Sequence, residues 1–350
     1  MATLTQTTFL TRRIIKYGSI GLVIFLILQF SFGVVKDYLK KHNPPAPPPP
    51  TVAFKKLPAL DFPKKENLPI PSFSLQTISG SLPVLDNIGK VYVMIKPATS
   101  LLSLDKAKTM AKGIGFTDLP QPVSSQVYRF TTNSVPTTIL ELNIVSNNFT
   151  LRYEYAGDPN ILTERKLPTN GEAINEAKSF LNKMGLLPDD ISAGKSAVTY
   201  FKYSANGLIS ADSLSEADFV KVSLLRQDLD KLKIVPENPN SGPISFLFSG
   251  SRDPAKRILE INYTYSKIDA QHFATYPLKS VATAWQELEE GKGFVANLGN
   301  NSDGKIVVRD VYLAYYDSTQ PQNYLQPIFV FEGDKGFLGY VSAIDPQWID

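Results

Sequence analysis

Few residues in this chain could carry out acid–base, nucleophilic or metal chemistry. The sequence contains two histidines, His42 and His272, and no cysteine, which excludes disulfides, thiolate metal sites and cysteine nucleophiles. A serine triad or a histidine-based zinc site would therefore need His272, but neither an HExxH nor a GxSxG pattern is present. We expect His272 to be a surface residue in the loop that precedes the last helix.

The stretch Ser192–Ser196 (SAGKS) ends like a phosphate-binding loop. The place of the first glycine in such a loop is taken by Asp189, however, and Pro188 and two acidic residues replace the segment that should hold phosphate. We therefore interpret the stretch as a turn that enters a strand.

A second stretch resembles a calcium-binding loop. The third, fifth, sixth and twelfth places of such a loop are matched by Asn301, Asp303, Gly304 and Asp310. The first place holds Gly299 instead of an acid, and Asp310 is shorter than the bidentate glutamate expected at the twelfth. We favour a hairpin turn at Asp303-Gly304, joining a strand at 294–296 to one at 306–308.

Carboxylates are concentrated on one short predicted helix, where Glu287, Glu289 and Glu290 accompany Trp285. A carboxylate pair for glycoside hydrolysis would need a second wall and a cleft, and the sequence indicates neither. We expect Trp285 and Leu288 to face a sheet and the glutamates to be solvated.

Tyrosines recur on the predicted strands, at Tyr153, Tyr155, Tyr263, Tyr265, Tyr312, Tyr315 and Tyr316. Their rings could bind a glycan or a peptide, but strand aromatics commonly pack into the core, and we favour that interpretation. The sequence thus predicts no catalytic, cofactor-binding or metal-ligating residue, no cofactor and no enzymatic activity.

The charge balance argues against a nucleic-acid partner. The chain has 36 Lys+Arg and 33 Asp+Glu among 350 residues, a formal net charge of +3. This is too close to neutral to form the basic surface that nucleic acids require.

The elements that must position these residues begin with a membrane anchor. Tyr17–Val35 is an uncharged run with Arg12, Arg13 and Lys16 before it, and a membrane-spanning helix needs about 20 such residues. The run exceeds the apolar region of a cleaved signal peptide and is not followed by a small-x-small site, so we predict an uncleaved helix in the lipid bilayer. The tail 1–16 lacks acidic residues, and we place it in the cytoplasm and the remainder of the chain outside.

A proline-rich segment follows the anchor. Residues 36–77 contain NPPAPPPP at 43–50 and further prolines at intervals, which favour a polyproline II stalk and an extended lead-in. A ligand for an SH3-like domain is the alternative, and we favour the stalk because no flanking arginine follows.

The rest of the chain shows a weak internal repeat in three predicted units, 78–168, 169–270 and 271–350. Each unit begins with a short helix that ends at a glycine, Gly115, Gly185 or Gly291, and the period then changes to the two-residue alternation of strands. We predict strands at 127–131, 138–145, 149–155, 197–203, 219–225, 244–249, 258–265, 306–316, 327–331 and 337–344. The fold class is therefore α+β, with helices covering antiparallel β-meanders that form either one sheet or two lobes.

The last third of the chain resembles the YycH/YycI type of membrane-anchored regulators and, more widely, PepSY-like modules of a helix plus a meander. The similarity lies in YPLKSVATAWQELEEGKGFV, IVVRDVYLAYYD and YLQPIFVFEG, and in the structural residues Ala284, Trp285, Leu288, Gly291, Tyr315, Tyr316, Pro327, Phe331 and Gly333. The resemblance implies control of an envelope partner, such as a sensor histidine kinase, through protein contacts. The proline stalk departs from that type.

Three functions are compatible with the sequence. The first is a membrane-tethered regulatory or adaptor protein that acts by protein recognition, and we favour it. The second is a structural component of a cell-envelope assembly, whose exposed sheet edges would dock neighbouring strands. The third is an envelope hydrolase that uses only carboxylates. The sequence does not indicate the partner or the oligomeric state.

Overall fold

The computed structural model describes residues 4–42, 48–64, 69, 71–98 and 100–350. These residues divide into two compact units, one that ends at Pro49 and one that extends from Pro50 to Asp350. Most of the predicted polyproline segment lies outside the described residues.

The first unit contains a single described helix, α1 (Leu4–His42). Its segment Ile15–Lys36 is 22 residues long and, by length and composition, apolar enough to cross a membrane. The predicted span Tyr17–Val35 lies inside this segment.

The second unit is a mixed α+β body in which helices pack on two β-sheets. Its described helices are α2 (Ser103–Gly113), α3 (Asn170–Lys183), α4 (Asp189–Ser192), α5 (Pro254–Arg257) and α6 (Val281–Glu289). Its described strands are β1 (Ser72–Leu75), β2 (Ile88–Met94), β3 (Gln121–Pro122), β4 (Val127–Thr131), β5 (Thr138–Asn143), β6 (Phe149–Tyr153), β7 (Ser196–Ser204), β8 (Gly207–Ala211), β9 (Phe219–Leu224), β10 (Lys233–Pro236), β11 (Ile244–Phe248), β12 (Ile258–Tyr263), β13 (Ile268–Pro277), β14 (Phe294–Asn297), β15 (Lys305–Asp317), β16 (Tyr324–Gly333) and β17 (Leu338–Ser342).

The longer helices begin and end where local sequence rules place them. At the start of α3, the Thr169 hydroxyl accepts from the Glu172 amide while the Glu172 carboxylate accepts from the Thr169 amide, a capping box. The glycines predicted to end α2, α3 and α6 all have positive φ, between 66° and 99°. Local capping therefore fixes the boundaries of the helices that cover the sheets.

One sheet has nine strands in the order β3-β4-β5-β6-β12-β11-β9-β7-β8, and all its pairs are antiparallel. Helices α2 and α3 cover one face with small buried residues, among them Ala111, Ala173 and Ala177, packed against Leu140 and Phe246. The alternation seen in the sequence therefore reflects this half-covered sheet.

The other sheet has eight strands, five of them in the order β1-β15-β16-β17-β14. Strand β2 pairs with β16 and β13, and helix α6 packs on the sheet through Val281, Ala284 and Leu288. Strands β1 and β10 run parallel to β15, along 305–308 and 314–317. This parallel pairing differs from the predicted antiparallel meander, because β15 is long enough for two short strands to share one of its edges.

The sheets cross the boundaries of the three predicted units. Strands β2 and β10 come from the first two units, and β13 crosses the boundary between the second and the third, yet all three lie in the same sheet as the strands of the third. Each strand predicted from alternation has a counterpart in the structure, whereas β1, β2, β3, β8, β10 and β13 were not predicted. The register of β13 shifts between Asp269 and Phe273, and such an irregularity disrupts the alternation that would identify a strand.

The predicted lead-in contributes to the folded body. Leu57 is fully buried and pairs with Ile349 near the end of the chain, and Phe62 stacks on Phe294. Thr51 and Thr275 also exchange backbone-to-hydroxyl hydrogen bonds. Residues 50–62 thus form a strap, the name used below, that covers apolar side chains of the eight-stranded sheet.

Candidate functional site at the junction of the two sheets

His272 lies on strand β13 and not in a loop, so the predicted position was wrong. It falls within the bulge of that strand, which keeps its side chain 75% exposed. Its Nδ1 contacts the Asp269 carboxylate at 2.7 Å, and this hydrogen bond lowers the pKa of Asp269.

The SAGKS stretch approaches the end of β9 closely. A Cβ atom on Gly194 would lie 1.9 Å from the carbonyl oxygen of Leu225, so only glycine fits. The Leu225 amide also donates to the Lys195 carbonyl. The stretch is thus a turn that enters β7, as interpreted from the sequence, and its glycine serves this close backbone approach.

The stretch 299–310 contains the predicted turn but not the predicted hairpin. Gly304 has φ +72°, yet β14 pairs with β17 while β15 pairs with β16, so the strands on either side of the turn are not partners. The Asn301 side chain is buried and donates to the carbonyls of Leu298 and Asp334. The amide nitrogen of Asn301 therefore links two loops, so this residue has a structural role in the turn.

The glutamates of α6 are only partly solvated. Glu287 receives two hydrogen bonds from Lys279, whose side chain is 7% exposed, because that ammonium needs a counter-charge. Glu290 pairs with Lys292 at 2.7 Å, and Glu289 is exposed. Trp285 packs against Phe73 and Phe331, so its predicted direction toward the sheet is confirmed.

The strand tyrosines lie in the core or at its border. Tyr153, Tyr263, Tyr315 and Tyr316 are buried, and Tyr155, Tyr265 and Tyr312 are half-buried. Among the described residues, no group of three or more histidine and acidic side chains is arranged to hold a metal ion.

A buried ionic network joins the two sheets. The Arg226 side chain, 1% exposed, donates from Nε to Asp317 at 2.8 Å, from Nη1 to Asp190 at 2.7 Å and from Nη2 to the Ser266 carbonyl at 2.6 Å. Its guanidinium also lies 4.4 Å from the ring centre of Tyr265, whose hydroxyl donates to Asp190. Arg226 follows β9 of the nine-stranded sheet and Asp317 ends β15 of the eight-stranded sheet, so this single side chain connects the two layers.

Two glycines fix the position of the backbone next to Arg226. Gly194 lies against the Leu225 carbonyl, and a Cβ atom on Gly242 would lie 2.0 Å from the Leu224 carbonyl. The backbone that leaves β9 is therefore held from two directions, and this fixes where the arginine side chain begins.

Charge and burial set the protonation states of this network. Burial disfavours the Arg226 cation, but the charge and hydrogen bonds of Asp317, with the charge of Asp190, outweigh it and raise the pKa of Arg226. Burial and the charge of Asp190 raise the pKa of Tyr265, and the same causes raise the pKa of Tyr263 to about 12. At neutral pH Arg226 is therefore a cation, and the two tyrosines beside it are neutral.

A second contact fixes the connection from β9 to β10. Asp230 and Lys231 both have positive φ and form a tight turn closed by reciprocal hydrogen bonds between Leu229 and Leu232. The Asp230 carboxylate accepts from Lys90, and from the hydroxyl of Tyr92, and these bonds lower the pKa of Asp230. The connection is thus held by Arg226 at its start and by Asp230 near its end.

A cavity of about 530 Å³ opens beside this network and is called the junction cavity below. Its apolar lining residues are Leu187, Pro188, Leu229, Ile234, Ile268 and Ala270. Its polar and charged lining residues are Asp189, Asp190, Gln227, Asp228, Tyr265 and Lys267. Its volume lies within the range of about 300 to 1,000 Å³ that ligand pockets span, and its lining is apolar and polar in equal numbers of residues.

No site residue was predicted from the sequence, and this network was not expected. Asp190 is one of the two acidic residues that replace the phosphate-binding segment before SAGKS, and Tyr265 was expected to be a core aromatic of a strand. The available signal was an arginine that directly follows the buried strand FVKVSLL, since an arginine is almost never fully buried unless it is paired.

Comparison with known proteins gives little further guidance. No family model matches the chain, and no curated protein matches it. Among solved structures, it is similar to an uncharacterized protein from Eubacterium rectale, with 13% identity, a TM-score of 0.35, and coverage of 74% of this chain and 84% of that one. A likeness of this size carries no function across.

Proposed function

We propose that the chain is a single-pass membrane protein with a cytoplasmic tail, and that its unit from Pro50 to Asp350 is extracytoplasmic and acts by contact with an envelope or membrane protein, without catalysis. The observation that carries this proposal is the segment Ile15–Lys36, which is long and apolar enough to span a bilayer. A helix satisfies its own backbone hydrogen bonds, so a segment of this length and composition is suited to the bilayer interior.

The partner in this proposal is a membrane protein whose activity this chain regulates. A sensor histidine kinase is the leading candidate. Support comes from the resemblance of the last third of the chain to YycH/YycI-type regulators. In that third, α6 and β14 are followed by the antiparallel strands β15, β16 and β17, an arrangement compatible with a PepSY-like helix plus meander. The closed ionic network of Arg226 supports the same proposal, because it gives the body a fixed surface at the junction of its sheets.

A structural role in an envelope assembly is the second candidate, favoured by the edge strand β8. This strand is the last of the nine-stranded sheet and carries Ile209, which is 51% exposed. An exposed edge strand can pair with a strand of a neighbouring chain. An assembly component should be recovered in abundant, stoichiometric complexes, whereas a regulator should be recovered with a scarce partner.

The orientation can be tested directly because the chain has no cysteine. In intact cells, a membrane-impermeant maleimide should label a Ser302→Cys variant and should not label a Thr5→Cys variant until the cells are lysed. Labelling of Thr5→Cys in intact cells, with protection of Ser302→Cys, would contradict the proposed orientation.

The partner can be sought by in-cell photo-crosslinking from exposed positions on the folded body. Attachment of a sensor kinase or another membrane receptor would support the regulatory proposal. Recovery of the chain attached only to itself, or to abundant wall and secretion components, would instead favour the structural role.

A further inference from the structure

We infer that the junction cavity binds a lysine or arginine side chain, presented on an apolar stretch of the partner protein. This inference rests on the proposed function, since it names the chemistry by which the partner is recognised. Three features of the cavity support it: its charge, its partly apolar walls and the fixed backbone around it.

The charge of the cavity favours a cation. Arg226 is matched by two carboxylates, Asp190 and Asp317, so the network keeps one net negative charge. The lining also includes the exposed acids Asp189 and Asp228 and one lysine, Lys267, and within the described part of the chain neither of these acids forms an ion pair, although Asp228 also borders a neighbouring cavity lined by Lys195 and Lys233. Carboxylates without a counterion attract a positively charged group and hold it in place.

The same network disfavours an anion. Each of the three guanidinium nitrogens of Arg226 already donates to an acceptor, and the side chain is almost fully buried. An anionic ligand would therefore meet the exposed acids, with Lys267 as the lysine of the lining that offsets them. Juxtaposed like charges oppose binding and so exclude acidic partners.

The walls indicate that the cation is carried on an apolar segment. Leu229 and Ile268 are half-buried and line the cavity together with Leu187 and Pro188. Strand β13, which includes Ile268, pairs with β2 on one side. A segment with apolar residues beside its basic side chain would cover these walls while its charge reaches the acids.

The cavity is preformed, which lowers the entropic cost of binding. Its walls come from connections between the sheets that are fixed at Arg226, at Ser266 and at the Asp230 turn. The partner segment is therefore the component that becomes ordered on binding, while the cavity keeps its shape.

The first test measures, by fluorescence anisotropy, how tightly defined peptides bind to the full chain in detergent micelles. The probe is fluorescein-labelled Leu-Leu-Lys-Leu-Leu, compared with peptides that carry Gln or Glu in place of Lys. We expect the Lys peptide to bind at least tenfold more tightly than the Glu peptide, and the difference to shrink as salt is raised toward 1 M because salt screens exposed charges. Equal affinities of the Lys and Glu peptides would overturn the inference.

Variants of the exposed acids provide the second test. The double variant Asp189→Asn and Asp228→Asn should weaken binding of the Lys peptide about five- to tenfold, as expected for two partly exposed charge pairs, and should leave the Gln peptide unchanged. The matched control, Asp212→Asn with Glu216→Gln, removes the same charge from exposed positions outside the cavity and should change affinity less than twofold. Equal effects of the two double variants would overturn the inference.

A crosslinking test separates this inference from the proposed function. A photo-reactive residue in place of Gln227, in the cavity lining, should capture the partner, and the double variant of the exposed acids should abolish that capture. Capture from Ile209 or other positions but not from Gln227 would overturn the inference and leave the proposed function standing. Failure to capture any partner from all positions would count against both.

Discussion

Replacement of Arg226 tests whether one side chain holds the two sheets together. The variant Arg226→Met retains a long, flexible apolar chain but leaves Asp317, 7% exposed, and Asp190, 28% exposed, without their counter-charge. Removal of one partner from a buried ion pair costs about 3–5 kcal/mol, and the lost bond to the Ser266 carbonyl acts in the same direction. We therefore expect the free energy of unfolding to fall by about 4 kcal/mol.

The assay is urea unfolding of the full chain in detergent, monitored by tryptophan fluorescence and by far-UV circular dichroism. The two tryptophans, Trp285 and Trp348, both pack in the core of the eight-stranded sheet, so their fluorescence reports on that sheet, while circular dichroism reports on both. Because Arg226 couples the layers, the two transitions should coincide in the natural protein and separate in Arg226→Met.

A matched control and a rescue make the result interpretable. Arg129→Met breaks a pair with Glu141 in which both side chains are more than a third exposed, and should cost at most about 1 kcal/mol. Adding Asp317→Asn and Asp190→Asn to Arg226→Met removes the stranded charges and should restore at least half of the lost stability. If Arg226→Met is no more destabilising than Arg129→Met, or if the triple variant shows no recovery, Arg226 does not hold the two sheets together.

Three further predictions concern the packing of the body and its pH dependence. Gly194→Ala should destabilise by more than about 2 kcal/mol in urea unfolding because its Cβ would meet the Leu225 carbonyl, whereas Gly171→Ala, with open space around it, should be neutral or slightly stabilising. Leu57→Ala in the strap should cost about 2–5 kcal/mol, and Leu119→Ala, which is 86% exposed, less than about 0.5 kcal/mol; equal costs would mean that the strap is not part of the fold. The hydrogen bond from Lys256 lowers the pKa of Asp158, so this pair contributes stability above the ordinary aspartate pKa of about 3.9 that is lost as pH falls below it. Asp158→Asn should therefore flatten the acid limb of stability between about pH 4 and pH 2, and an unchanged slope in an acid titration would contradict this.

Much of the secondary structure could be predicted because its causes are local. In β6, the buried residues Phe149, Leu151 and Tyr153 alternate with exposed Thr150 and Arg152, and the same alternation is visible in the sequence. The start of α3 could be predicted in the same way, since a capping box uses residues three positions apart. The bulge of β13 and the four residues of β10 carry no such local signal, and these are among the strands that were missed.

The sequence by itself determined the apolar helix, the exclusion of cysteine chemistry, the α+β class and the positions of most strands, because composition and periodicity act over a few neighbouring residues. Only the tertiary structure decided which strands share a sheet, since backbone hydrogen bonds are the same for every residue and do not specify a partner. It alone brought Arg226 to Asp317, which lies 91 positions away, and to Asp190 on another element. The junction cavity exists because connections distant in sequence meet there, and no local pattern encodes that meeting.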